Sequence, residues 1–525
     1  MTARGRDALV VGGGIAGLST AALLAEEGYR VTVLEGQSQI GGRAGSWEQD
    51  GFRFDTGPSW YLMPEVFDHF FRLLGTTAEA ELDLVPLDPA YRVYGEPDAA
   101  TSVAPPAIDV VSGRDEAVAL FEGIEPGAGA RLEKYLDSAG DAYDLAVSRF
   151  LYDTYESYTN LVDPAVLRRG ARLASMLTVP LATRIEKQFT DTRLRQILGY
   201  AGVFLGGSPY DLPSLYHLMS HLDLDDGVLY PRGGFTTLIA AIARLAEARG
   251  VRIETGAEVS AIEVVDGRAT GATTTDGRRF TADLVVSTAD LHHTENALLP
   301  AEARTYPEKW WTSKTPSFGA LLVLLGVRGE LPALSHHTLL FTEDWRANFA
   351  DIFGADSRIP DPASLYVCRP SATDDDVAPE GHENLFVLVP IPADPSLGRG
   401  GIDGAGDDVI ERAADAAIDQ IAAWCEIPDL RDRIVVRRTI APGDFSADLH
   451  AWRGNSLGLA HTLGQSALFR PKNVSSRVPN LYYAGASVLP GIGLPMCLIS
   501  AELVIKRLRG DRSAGPLPEQ SPSAS

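Results

Sequence analysis

A chain of 525 residues is longer than one compact domain, so two intertwined domains are expected. Its hydrophobic share of 45% and charged share of 22% suit a globular enzyme. A net charge of −24 excludes nucleic acid as a partner, because phosphate binding needs a basic footprint, and it predicts repulsion from anionic lipid away from any local basic patch.

The first residues, MTARGRD, lead into the chain without the apolar core of a signal peptide. Residues 8–11 form a short apolar run, read as a buried parallel strand. It feeds Gly12-Gly13-Gly14-Ile15-Ala16-Gly17, a G-x-G-x-x-G turn that lets a pyrophosphate sit on the N-terminus of the following helix. That helix is predicted over 15–27, with Gly28 as its stop. A second strand over 30–34 ends at Glu35, the offset at which a carboxylate takes the ribose hydroxyls of an adenosine. Together these features predict an adenine dinucleotide site, and they leave NAD and FAD both open.

Gly41-Gly42-Arg43 follows, then Gly57-Pro58-Ser59. Paired glycines let the main chain lie against a flat ring, and arginine offers phosphate a fixed cation. Glycine turn, acid and GGR in this order resemble the flavin amine oxidase and carotenoid desaturase superfamily, which implies FAD as the cofactor. In that family Arg43 and the GGR backbone lie along the cofactor, and the Gly-Pro-Ser turn approaches the isoalloxazine.

Further along, the turn Tyr230-Pro231-Arg232-Gly233-Gly234-Phe235 precedes a helix predicted over 236–249, and short β-rich runs follow at 251–253, 259–265, 269–275 and 283–287. The resemblance implies that Val259 holds the adenine through its backbone. Two inserts separate these pieces. The first, 81–224, looks largely helical. The second, 301–444, mixes strands at 321–327 and 385–389 with a helix over 407–424. The fold expected is therefore α/β, with a discontinuous Rossmann-type FAD-binding domain (1–80, 225–300 and 445–510) and an inserted mixed α+β substrate domain (81–224 and 301–444). The polar, Pro-rich residues 511–525 are expected to be disordered.

At the C-terminal end a strand breaks at Gly485, and Gly491-Ile492-Gly493-Leu494-Pro495-Met496 opens a last helix. In the resembling family this helix start points at the flavin, so Gly485, Leu494, Pro495 and Met496 complete the candidate cofactor set. An acid that commonly follows the glycine in amine oxidases is replaced by Ala486, which leaves the ribityl contact unassigned and narrows the resemblance to carotenoid desaturases. Leu205 to Tyr210 (LGGSPY) and the DDDVAPEG run at 374–381 add to that narrower resemblance, which covers almost the whole chain.

Cys368, Cys425 and Cys497 are scattered, so neither disulfides nor a zinc site is expected, and a reducing cytoplasm is the simplest setting. His292-His293 and His336-His337 offer no i, i+4 chelate, so no metal is expected. No catalytic residue can be named from spacing. Between 164 and 187, Arg168, Arg169, Arg172, Arg184 and Lys187 stand against Glu186 alone, interleaved with apolar residues. A helix in a membrane interface and a helical lid with a solvated basic face both fit, with Pro180 dividing it into two segments.

The resemblance implies a bacterial phytoene desaturase, which converts phytoene toward lycopene by hydride transfer to flavin. Its partners would be a long polyisoprenoid hydrocarbon, oxygen or a quinone as electron acceptor, and the inner face of the cell membrane. A diapophytoene desaturase, a ketolase and a cis–trans isomerase are the close alternatives. A non-catalytic isoprenoid escort is the distant one, and the intact glycine turn and Glu35 speak against it.

Overall fold

The computed structural model describes residues 5–98, 100–101, 103–157 and 170–519. Its first sheet has five parallel strands in the order Leu481–Tyr483, Leu284–Ser287, Asp7–Val11, Arg30–Leu34 and Arg252–Glu254. The central strand is buried on both faces, which explains its unbroken apolar run. Ala8 and Val10 pack with the helices Ile15–Glu26, Phe235–Glu247 and Leu494–Arg509. Leu9 and Val11 face the other way, toward the antiparallel sheet of Val259–Val265, Arg268–Thr274 and Arg279–Thr281. The alternation follows from the two-residue repeat of a strand.

The second sheet has seven strands in the order Ile434–Ile440, Gly319–Arg328, His382–Ile391, Leu365–Cys368, His337–Phe341, Tyr91–Gly95 and Ile108–Val110. Only the pairing of His337–Phe341 with Tyr91–Gly95 is parallel. One face carries Leu321, Val323, Leu325 and Val327 against the helix Asp408–Trp424. The opposite face carries Ala320, Leu322 and Leu324 toward the helices of the first insert. That insert is not helical throughout, since it supplies the last two strands at one side of this sheet, Tyr91–Gly95 and Ile108–Val110.

Residues 511–519 differ from the disorder expected of them. Leu517 is 5% exposed, and its N–H donates to Glu502 Oε1 at 2.5 Å. The Lys506 ammonium donates to the carbonyls of Ser513 and Gly515 at 2.7 and 2.6 Å. One inserted leucine and one buried cation hold an otherwise polar segment against the last helix. Residues 520–525 lie outside the described residues.

Candidate active site

A cavity of about 1070 Å³ opens between the two sheets, at the upper end of the range of roughly 300–1,000 Å³ for small-molecule sites. Of the residues proposed from sequence, Gly12, Gly14, Ile15, Ala16, Glu35, Gly42, Arg43, Gly57, Pro58, Ser59, Val259, Gly485, Leu494, Pro495 and Met496 line it. Gly17 does not. A side chain there would put Cβ 1.9 Å from the Gly12 carbonyl oxygen, so this glycine serves close packing of helix on turn.

The GGR loop is fastened directly to the glycine turn: Gly41 N–H donates to the Gly13 carbonyl at 3.0 Å, and Gly14 forms an isolated bridge to Gly41. Gly57 lies so close beneath this loop that a Cβ would meet the Arg43 carbonyl oxygen at 1.9 Å. Glu35 is buried and accepts from the N–H groups of Gly13 at 2.7 Å and Gln37 at 2.8 Å. Thr288 donates to the carbonyls of Val11 and Gly12 and holds the turn from below.

Two helix N-termini, at Ile15 and Leu494, reach this part of the cavity. Each follows a glycine, with no side-chain cap and no acid in its first turn, so free N–H groups and partial positive charge face inward. Arg43 adds a guanidinium whose Nε and Nη2 are buried without hydrogen-bond partners. Burial pushes its pKa down, against the Asp290 carboxylate 3.9 Å away. A guanidinium with N–H groups free of hydrogen bonds, two open helix ends and glycine-walled space fit a large anionic dinucleotide such as FAD.

Under the Gly-Pro-Ser turn, Tyr366 donates to Ser59 Oγ at 2.8 Å and pairs with His337 Nδ1 at 2.7 Å. The Trp60 ring stacks on His337, with centroids 4.2 Å apart. At the opposite wall His461 accepts from Ile492 N–H at 3.0 Å and pairs with Tyr216 at 2.7 Å. Burial pushes both histidines well below their ordinary pKa, so both are held neutral. Arg470, also buried, donates to the carbonyls of Leu459, Gln465, Ala486 and Val488. Burial lowers its pKa only to about 10, so its charge is retained at neutral pH. It organises the segment after Gly485 where the wider family carries an acid. None of these groups was identifiable from spacing.

The remainder of the cavity is apolar. Leu62, Leu145, Val203, Phe204, Leu218 and Leu222 come from the N-terminal half, and Leu322, Leu339, Phe341 and Phe386 from the seven-stranded sheet. Behind it, Asp223 is buried against Tyr91 and Tyr200, and burial, opposed by those two hydroxyls, raises its pKa to about 7.

The other sequence candidates separate. His336, His337 and Cys368, however, each bring one ligand atom within 4.8 Å of the others, a grouping that their spacing in the sequence does not show. The register of two strands, with His337 opposite Cys368, makes the cluster. His292 pairs with Glu308, and His293 stacks on His450 at the cavity wall. In the basic stretch, Arg168 and Arg169 lie outside the described residues. Two helices do flank Pro180, Gly170–Thr178 and Leu181–Glu186. Arg172 pairs with Asp141, while Arg184 donates to Ser138 and covers the Tyr135 ring, so these two cations turn toward protein. No described helix is long and apolar enough to cross a membrane.

Residues 15–504 match the family of flavin-containing amine oxidoreductases, and the chain belongs to that family. It is a flavin-dependent oxidoreductase of the carotenoid desaturase branch. A carotenoid 3,4-desaturase from Haloarcula japonica is 43% identical over 97% of this chain and 99% of its own. A zeta-carotene-forming phytoene desaturase from Myxococcus xanthus is 35% identical over 96% of this chain and 94% of its own. Among solved structures, an oxidoreductase from Methanosarcina mazei shares the fold, with a TM-score of 0.60 at 17% identity over 95% of this chain and all of that one.

Proposed function

We propose that the protein desaturates an acyclic carotenoid, forming trans double bonds at CH–CH positions flanked by alkenes. The observation that carries this reading is the long apolar half of a cavity whose other half is a glycine-walled dinucleotide site. FAD, when bound, supplies a two-electron acceptor for hydride from an allylic carbon. Arg43 and the two helix ends hold its anionic groups, and Glu35 takes its ribose. The apolar walls hold a thin chain in place and exclude water. Positive charge arising at the allylic carbon is spread over the alkene, so proton loss needs no strong base. This agrees with a neutral His461 whose Nε2 already accepts from Ile492.

Phytoene is the substrate that the sequence resemblance implies. Desaturation at the 3,4 position of an already conjugated chain is the second reading, favoured by 43% identity to the Haloarcula relative against 35% to the Myxococcus one. Oxygen or a quinone reoxidises the flavin in either case. We assign the protein to the cytoplasm with peripheral contact at the membrane. Leu177, Leu463 and Phe469 are 36, 40 and 57% exposed, and they neighbour the cavity-lining Leu173, Ala467 and Leu468. The test is FAD-loaded protein with phytoene or lycopene in liposomes, with and without a quinone. A longer-wavelength product from one of them identifies the member. Unchanged spectra from both count against desaturation.

A further inference from the structure

The apolar half of the cavity is interrupted on one helix. The helix Trp345–Phe353 turns Trp345, Asn348, Phe349 and Ile352 onto the wall, the spacing of a single helical face. Asn348 is only 5% exposed, and its Nδ2 is buried without a hydrogen-bond partner. One turn earlier, the Trp345 indole N–H is also buried without an acceptor. Leaving a buried polar group unpaired is destabilising, and a leucine of similar size would avoid that cost.

A file of aromatic rings runs from the Gly-Pro-Ser turn to this position. The rings of Trp60, Tyr200, Phe341, Trp345 and Phe349 follow one another at centroid separations of 5.9, 6.3, 4.9 and 5.6 Å. Trp60 adjoins Ser59, so Asn348 stands several rings away from the Gly-Pro-Ser turn.

We infer that Asn348 is a specificity residue that hydrogen-bonds a hydroxyl carried by the bound isoprenoid chain, with Trp345 as a second donor. This rests on the carotenoid reading above. An amide both donates and accepts, as a hydroxyl does, so a hydroxylated chain satisfies it and a pure hydrocarbon leaves it unpaired. The contact also fixes how far the chain slides into the cavity, and so which CH–CH pair reaches the cofactor.

The experiment is equilibrium binding of two acyclic carotenes that differ by one terminal hydroxyl. It uses the FAD-loaded protein and reads the carotenoid's absorption shift. The wild type should prefer the hydroxylated chain by about tenfold or more. Asn348→Leu should bind the two alike, and Trp345→Phe should lose a smaller part of the preference. Asn348→Gln, which keeps an amide, should retain some of it. If leucine disturbs the helix, Trp345→Phe and Asn348→Ser carry the test. Equal binding by the wild type, or an undiminished preference in Asn348→Leu, overturns the inference. Turnover measured in parallel separates the two readings: a preference lost with Asn348 but no oxidation of either chain supports the contact and removes the desaturase assignment. Oxidation of both chains with equal binding does the reverse.

Discussion

The cofactor half of the cavity is walled largely by main chain, and the substrate half by side chains. In the first, glycines at 12, 14, 41, 42 and 57 bring backbone to the surface, and a few charged groups stand at set places. In the second, leucine, valine and phenylalanine from distant segments form a smooth lining. The first half tolerates almost no change of shape, because backbone meets backbone. Asn348 and Trp345 apart, the second is set by volume, so many sequences can build it.

Substitutions can break that contrast at different strengths. The largest effect belongs to Gly17→Ala, whose Cβ would lie 1.9 Å from the Gly12 carbonyl oxygen. Destabilisation of about 1–3 kcal/mol or more and loss of bound flavin are expected in melting curves and the flavin spectrum. Normal flavin content would show that the turn can yield. Next comes Glu35→Gln, which weakens the bonds from Gly13 and Gln37 and the ribose contact. FAD affinity should fall by roughly 10- to 100-fold, followed by fluorescence titration, while carotenoid binding to the apoprotein stays unchanged.

Leu218→Trp narrows the apolar half and should cut carotenoid turnover about tenfold with an unaltered flavin spectrum. A loss of flavin there would mean that the two halves are not separable.

The smallest expected effect on the site itself is a pH dependence, which moves stability and leaves both halves of the cavity in place. Burial raises the pKa of Asp223 to about 7 in the folded chain, from about 3.8 in the unfolded one. The folded state therefore binds more protons than the unfolded state between those values, and stability falls as pH rises through that window. Asp223→Asn should remove that loss, on the order of a few kcal/mol, and melt higher than the wild type at pH 8 but not at pH 4.

The same contrast explains what was legible in the sequence. The strands Arg30–Leu34 and Val259–Val265 fall where they were expected, because apolar runs bounded by glycine turns carry their own limits. The glycine turn, Glu35 and GGR were readable because their chemistry needs fixed residue types at short spacing. The strands Tyr91–Gly95 and Ile108–Val110 were not, because both are short and Tyr91–Gly95 joins the sheet through His337–Phe341, over two hundred residues away. The meeting of Cys368 with His336 and His337 depends on a strand register that spacing cannot show. Asn348 looks like any polar residue on a half-buried helix, and only the absence of a partner sets it apart. The packing of 511–519 turns on Leu517 alone among polar neighbours, too weak a signal against composition.

The first helix, Ile15–Glu26, packs against the last, Leu494–Arg509, and the strand Leu481–Tyr483 closes the edge of the sheet begun by Asp7–Val11. During synthesis the N-terminal turn emerges first and then waits for nearly the entire chain. At roughly 5–20 residues per second that wait is on the order of half a minute to two minutes, with the apolar flank of the first helix uncovered. Flavin retention should therefore depend on the last helix, and chains truncated before Leu494 should neither retain flavin nor escape chaperones.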